Sequence, residues 1–325
     1  YQVYPRSFND SNGDGIGDLP GLIEKLDYLE NLGIDVIWLS PMYPSPNDDN
    51  GYDISDYKGI MSEFGTMNDF DQLLSNIHQR GMKLILDLVV NHTSDEHPWF
   101  IESKSSKTNA KRDWYIWADP KPDGSEPNNW ESIFNGSTWE FDESTKQYYF
   151  HLFSKKQPDL NWENPDVRQA VFEMMNWWFE KGIDGFRVDA ITHIKKNFEA
   201  GDLPIPDGKK FAPAFDVDMN QPGIQEWLQE MKDKSLSRYN IMTVGEANGV
   251  TPNDAEEWVG EEKGKFNMIF QFEHLGLWST GDTKFDVKSY KQVLNRWQKQ
   301  LENVGWNALF IENHVSYTHL RAHET

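Results

Sequence analysis

Cysteine is absent from this 325-residue chain, which removes disulfides, thiolate nucleophiles and cysteine-ligated zinc together. It also suits a reducing compartment, and a cytoplasmic location is the expectation. Positive charge is scarce: 31 Lys and Arg stand against 53 Asp and Glu, a formal net charge of −22. Phosphate backbones need clustered cations, so nucleic acid is excluded as a partner. Long apolar runs are missing, since no stretch approaches the ~18 residues a membrane-spanning helix requires. Mean hydropathy is −0.73. No Gly-x-Gly-x-x-Gly follows a strand-like run, so a dinucleotide site has no support, and no organic cofactor is expected. A start methionine and signal peptide are also lacking, and residues 1–4 already read as a buried strand; any targeting segment is expected upstream.

What is present is apolar and aromatic material in quantity, 38% hydrophobic and 14% aromatic residues, ample for a large core. Short apolar runs at residues 1–4, 36–39, 84–90, 185–188, 241–244, 268–270 and 308–311 read as strands. Amphipathic segments at 22–32, 70–80, 167–181, 224–232 and 290–303 read as helices between them. Repeated βα units with buried strands imply a parallel sheet. Polar residues follow at least five strand runs at once, at Ser40, Asn91-His92, Asp189, Glu246 and Glu312-Asn313-His314. A closed barrel collects ligand groups from many strand ends, whereas an open sheet concentrates them at one switch point. The expected fold is therefore an α/β (β/α)8 TIM barrel, incomplete at about seven βα units. Residues 93–162 break the rhythm, and six of the 14 tryptophans lie between positions 99 and 162. That stretch is too long for an idle loop and too aromatic for disorder, so a small domain inserted after strand three is expected there. The barrel would then occupy 1–92 and 163–314.

Five clusters carry chemistry. In Asp10-Ser-Asn12-Gly-Asp14-Gly-Ile16-Gly-Asp18 oxygen ligands alternate along a glycine-rich loop, as a hard cation requires. An Asx-turn loop that satisfies its own backbone is the plain alternative. In Asp49-Asn50-Gly51-Tyr52-Asp53 a carboxylate and a phenol could grip sugar hydroxyls and offer a stacking face; a solvated turn is the other reading. Asp87-Leu-Val-Val-Asn91-His92 places an imidazole at a strand end, for a ligand hydroxyl or for structure. In Gly185-Phe186-Arg187-Val188-Asp189, residues 187 and 189 share one side of a strand. The guanidinium would keep the carboxylate ionised, as a nucleophile needs, or form a structural ion pair. In Thr243-Val244-Gly245-Glu246-Ala247, Glu246 lacks an adjacent Arg and could be held protonated as a general acid. Two carboxyls on different strands with different neighbours are the arrangement of glycoside hydrolysis.

At these clusters the sequence resembles the α-amylase superfamily, glycoside hydrolase family 13, in its α-glucosidase and oligo-1,6-glucosidase branch, nearly end to end from Tyr1 to His314. The resemblance implies Asp189 as nucleophile beside Arg187, and Glu246 as acid/base. It also implies that Asp49, Tyr52, His92 and His314 hold the glucose unit being cleaved. Phe153 and Gln157 align with the end of the family's inserted domain. Asp10, Asn12, Asp14, the Ile16 carbonyl and Asp18 match a structural Ca2+ or Mg2+ loop. The implied mechanism is retaining, with the two carboxyls ~5–5.5 Å apart. Ala190, directly after the nucleophile where 1,6-preferring members often carry Val, points to α-1,4 bonds and maltose-like substrates. The stretches 186–195 and 243–249 look like bacillus-type α-1,4-glucosidases. Oligo-1,6-glucosidase, trehalose-6-phosphate hydrolase, and a non-catalytic binding subunit of the same fold are the alternatives. The partners expected are small α-glucoside oligosaccharides, and the parent is expected as a monomer or weak dimer. The family places an Asp after Glu-Asn-His, but Val315 follows here. Residues 315–325 fit neither an eighth βα unit nor the family, so a truncation or join near 314 is expected, with an inactive fragment as its consequence.

Overall fold

The computed structural model describes residues 1–277 and 286–311. It divides at Thr243/Val244 into two compact units. In the first, strands β1 (Gln2–Val3), β2 (Val36–Leu39), β3 (Lys83–Val89) and β7 (Gly185–Asp189) lie side by side in chain order and run parallel. The register runs from Val36↔Lys83 to Val89↔Asp189. All five residues of β7 and the last six of β3 are buried, as expected for strands covered on both faces.

Helices cover the sheet for reasons readable in the chain. Thr66 and Asp69 form a reciprocal capping box that starts the helix Met67–Gln79, and Phe70, Leu73, Leu74 and Ile77 form its buried stripe. Asn164 caps the helix Pro165–Lys181, and Gly182 ends it at φ +104. Trp178 from that helix packs edge-on against Phe70 and Tyr43, and its indole N–H donates to the Tyr57 carbonyl at 2.9 Å. The segment expected as one helix over 22–32 is two, Leu19–Glu24 and Leu26–Asn31, separated at Lys25.

Between β3 and the helix Pro165–Lys181 lies an antiparallel three-stranded sheet. Its order is β4 (Trp117–Ala118), β6 (Gln147–Phe150), β5 (Trp139–Asp142). Trp130, Trp139, Phe150 and Leu152 form its core, and Ala214, from the segment after β7, belongs to the same cluster.

Strand β8 (Met242–Ala247) starts in the first unit, where the Met242 N–H donates to the Asp184 carbonyl at 2.8 Å. In the second unit it pairs in parallel with β9 (Met268–Gln271), Glu246 opposite Phe270. The helix Val287–Leu301 follows, with Val293, Trp297 and Leu301 buried. The run 308–311 is a correction to the expected seventh strand: it joins no ladder among the described residues, and Leu309 and Ile311 are 68% and 65% exposed. A strand exists only with a partner to take its N–H and C=O groups, and apolar composition cannot supply one. The architecture is an incomplete (β/α)8 barrel.

Gly185 shows how tightly the sheet is built. Its φ is +151, and a Cβ there would lie 1.7 Å from the Met242 carbonyl oxygen. Gly185→Ala is expected to destabilise the protein by about 2 kcal/mol or more through backbone strain. Chemical denaturation compared with the parent checks this; an unchanged midpoint contradicts it.

Candidate active site

The site is assembled where parallel strands end. β3 and β7 place Asp87 directly opposite Arg187, and alternation brings Asp189 to the same side as Arg187. One guanidinium nitrogen, Arg187 Nη1, donates to both Asp87 Oδ1 at 2.8 Å and Asp189 Oδ1 at 2.5 Å. Asp87 Oδ2 accepts from the Trp38 indole and the Tyr52 hydroxyl, each at 3.1 Å. Burial pushes Asp87 up to about 6, against the pull of Arg187 and with the charge of Asp189 adding to the rise.

The loop after β2 supplies the next group. Buried Asp53 accepts from the Ser45 hydroxyl and from the Asp48 and Asp49 backbone N–H groups at 2.8–3.1 Å. This fixes the turn that presents Asp49. Gln157 donates to Asp49 Oδ2 at 2.9 Å, and the same carboxamide nitrogen lies 3.1 Å from His92 Nε2. The His92 ring contacts Phe153 with centroids 5.1 Å apart, and Phe153 in turn contacts the half-exposed Phe134 at 5.7 Å. Burial raises Asp49 to about 7; Gln157 pulls it down, while Asp189, Asp53 and Asp48 push it further up. Burial lowers His92.

The structure thus brings Asp49, Tyr52, His92, Phe153, Gln157, Arg187 and Asp189 into one connected set. Glu246 lies in the second unit on β8, partly buried. His314 lies outside the described residues. Sequence reasoning passed over Asp87, Trp38, Asp53 and Phe134. Asp87 and Asp53 had a signal, each standing in a motif already singled out; Trp38 and Phe134 act through tertiary neighbours that spacing does not reveal. A surface concavity of about 730 Å³ lies elsewhere, lined by Asp71, Leu74, His78 and Lys181 of the helices Met67–Gln79 and Pro165–Lys181, and includes none of the expected site residues.

The Asp10–Asp18 loop lies apart and is mostly exposed. Asp10 accepts from the N–H groups of Asn12, Gly13 and Gly15, Asn12 from that of Asp14, and Asp14 from that of Ile16. Asp18 caps the helix Leu19–Glu24 through the Gly21 N–H and also accepts from the Ser11 hydroxyl. Among the described residues no three carboxylate or imidazole groups come together as a metal cluster. The oxygen donors suit a hard cation, and carboxylate lone pairs remain beyond those the turns use.

The profile of the alpha amylase catalytic domain matches residues 2–317. The chain belongs to the alpha-amylase family. Within this family it is 63% identical over 315 residues to a probable oligo-1,6-glucosidase of Bacillus subtilis, covering 97% of this chain and 57% of that protein. It is 53% identical to an alpha-glucosidase of Pediococcus pentosaceus, with 97% and 57% covered. The crystal structure of a Bacillus licheniformis trehalose-6-phosphate hydrolase superposes with a TM-score of 0.90 at 49% identity, again covering 97% and 57%. The chain therefore spans somewhat over half the length of the relatives it matches.

The Asp49 carboxyl generates a prediction with a definite sign. Its ordinary value of 3.8 rises to about 7 in the fold, so ionising it disfavours the native state and stability falls as pH rises between these values. Asp49→Asn should therefore gain thermal stability over the parent progressively from about pH 4 to about pH 7 and hold that gain above. Melting curves across this range check it; a gain that shrinks with rising pH contradicts it.

Proposed function

We propose that the parent protein is a retaining exo-acting α-glucosidase that releases glucose from the non-reducing end of short α-glucosides. The observation that carries this is Asp189, a 7%-exposed carboxylate held by Arg187 at a strand end and facing the Asp49–Gln157–His92 set. Arg187 fixes the carboxylate's orientation, so little rearrangement is needed for attack on an anomeric carbon. Tyr52 and Asp87 restrain Arg187 in turn. Phe153 offers an apolar face to a sugar ring, and His92 engages the Gln157 carboxamide that holds Asp49. Glu246 is assigned the acid/base role: it protonates the leaving oxygen, then activates the water that releases glucose. His314 is assigned to the same sugar.

For linkage, we propose α-1,4 bonds such as that of maltose. Ala190 follows the nucleophile at φ +43 and is 5% exposed; a β-branched residue is strained in that backbone region, so the small methyl and the local conformation agree. The α-1,6 reading is favoured by several relatives, including a probable oligo-1,6-glucosidase of Bacillus subtilis and an oligo-1,6-glucosidase of Bacillus cereus.

The test uses full-length enzyme and compares kcat/KM on maltose and isomaltose for the parent and Asp189→Asn. Faster maltose cleavage supports the linkage proposal, and faster isomaltose cleavage overturns it while leaving the hydrolase reading intact. Asp189→Asn should lower kcat by a factor of about 10³ or more; near-parental turnover refutes the nucleophile.

We further propose that the Asp10–Asp18 loop takes a structural Ca2+ or Mg2+ through Asp10, Asn12, Asp14, Asp18 and the Ile16 carbonyl. Chelator-treated protein should melt lower and regain its melting point on adding Ca2+ or Mg2+, with the response lost in Asp14→Ala. Identical melts with and without metal refute the site.

A further inference from the structure

Behind His92 lies a buried charge pair that catalysis does not use. Lys196 Nζ, seven residues beyond Asp189 in sequence, donates to Asp159 Oδ2 at 2.5 Å and to Asn91 Oδ1 at 2.9 Å. The Lys196 and Asp159 side chains are 1% and 0% exposed. Asn91 closes the triangle by donating to Asp159 Oδ2 at 3.0 Å, and Asp159 Oδ1 accepts from the Leu152 N–H at 2.9 Å. His92 is bridged in antiparallel fashion to Asp159 itself, so the pair is adjacent to the imidazole.

The ring's hydrogen bonds fix which of its forms fits. The Ser154 N–H donates to Gln157 Oε1 at 3.0 Å, so the carboxamide presents its NH2 to both Asp49 and His92 Nε2. His92 Nε2 must accept, so the ring's remaining N–H is on Nδ1, where the Tyr52 carbonyl takes it and the Asn91 carboxamide nitrogen also lies 3.2 Å away. A doubly protonated ring would set N–H against N–H at Gln157 and loosen the residue that holds Asp49. The charges facing His92 are Asp159 from the inserted segment, Asp189 from β7 and Lys196 from the loop after β7, with Asp49 reached through Gln157. Without the ammonium, two carboxylates would draw a proton onto the ring.

We propose that Lys196 is a positioning residue that cancels the charge of Asp159 and so keeps His92 a neutral hydrogen-bond acceptor for Gln157. The proposal rests on reading this site as the sugar pocket only for its effect on activity; the protonation state of His92 is measured without any substrate. Burial lowers His92 and Lys196 adds to that lowering, against Asp159 and Asp189, in agreement with the geometry.

The experiment is 15N NMR of imidazole-labelled full-length protein, titrated across the pH range in which it stays folded. In Lys196→Met, His92 should take its second proton about one pH unit or more above the parent. The acid limb of kcat/KM on p-nitrophenyl α-glucoside should move the same way. Lys196→Arg should leave both where they are. In Asp159→Asn, which keeps the ammonium, the second proton should arrive at lower pH than in the parent. A folded Lys196→Met with parental His92 titration overturns the proposal. If that variant does not fold, an unshifted Asp159→Asn overturns it equally. Correct NMR shifts in a protein that cleaves no α-glucoside would refute the functional reading and leave this inference standing.

Discussion

One guanidinium nitrogen shared by two carboxylates organises the candidate site. Arg187 can serve Asp87 and Asp189 together because the β3–β7 register sets Asp87 opposite Arg187, and strand alternation sets Asp189 two positions on. A register slip of one residue would turn these side chains to the other face of the sheet. The pair of acids outnumbers the single cation, so Trp38 and Tyr52 are recruited to the second oxygen of Asp87. A buried ion pair of this kind costs desolvation that attraction alone rarely repays, and losing one partner strands the other charge. Its use lies in orientation: the guanidinium holds Asp189 in one place.

Around that centre, two loops from distant parts of the chain are held together by polar contacts. Gln157 joins Asp49 to His92, and the Ser154 hydroxyl donates to Asp48. The Asp53 carboxylate plays the same part from beneath by fixing the turn that carries Asp49. The pocket wall is thus set by short hydrogen bonds between loops, while the strands beneath supply the rigid base.

Much of this was legible in the chain. Strand 36–39 emerged with its observed bounds because its apolar run is flanked by clear breaks, and β3 and β7 were found to within one residue at each end. The helix stripe at Phe70, Leu73, Leu74 and Ile77 was equally readable. Asp189 and Arg187 stood out through their spacing on a strand. What stayed hidden depends on neighbours far away in sequence. Lys196 looks like an ordinary basic residue in a loop until Asp159 and Asn91 are placed beside it. Asp53 reads as one more acidic residue in a turn until three donors converge on it. Residues 308–311 show the opposite error: their composition suits a strand, yet no ladder partner stands beside them among the described residues.

The core of the inserted sheet has a consequence for the order in which the molecule can be made. Glu131 N–H donates to the Ala212 carbonyl at 2.8 Å, Ala212 N–H returns a bond to the Asn129 carbonyl at 2.9 Å, and Ala214 completes the tryptophan cluster. A ribosome delivers residues 93–162 before it delivers residue 214, so the core of the sheet lacks Ala214 when its own strands emerge. The Ala212 and Ala214 contacts wait for β7 and the segment after it, a long-range contact that carries the entropy cost of its loop. The strand that carries Arg187 and Asp189 is therefore synthesised before the packing around Trp130 can be completed.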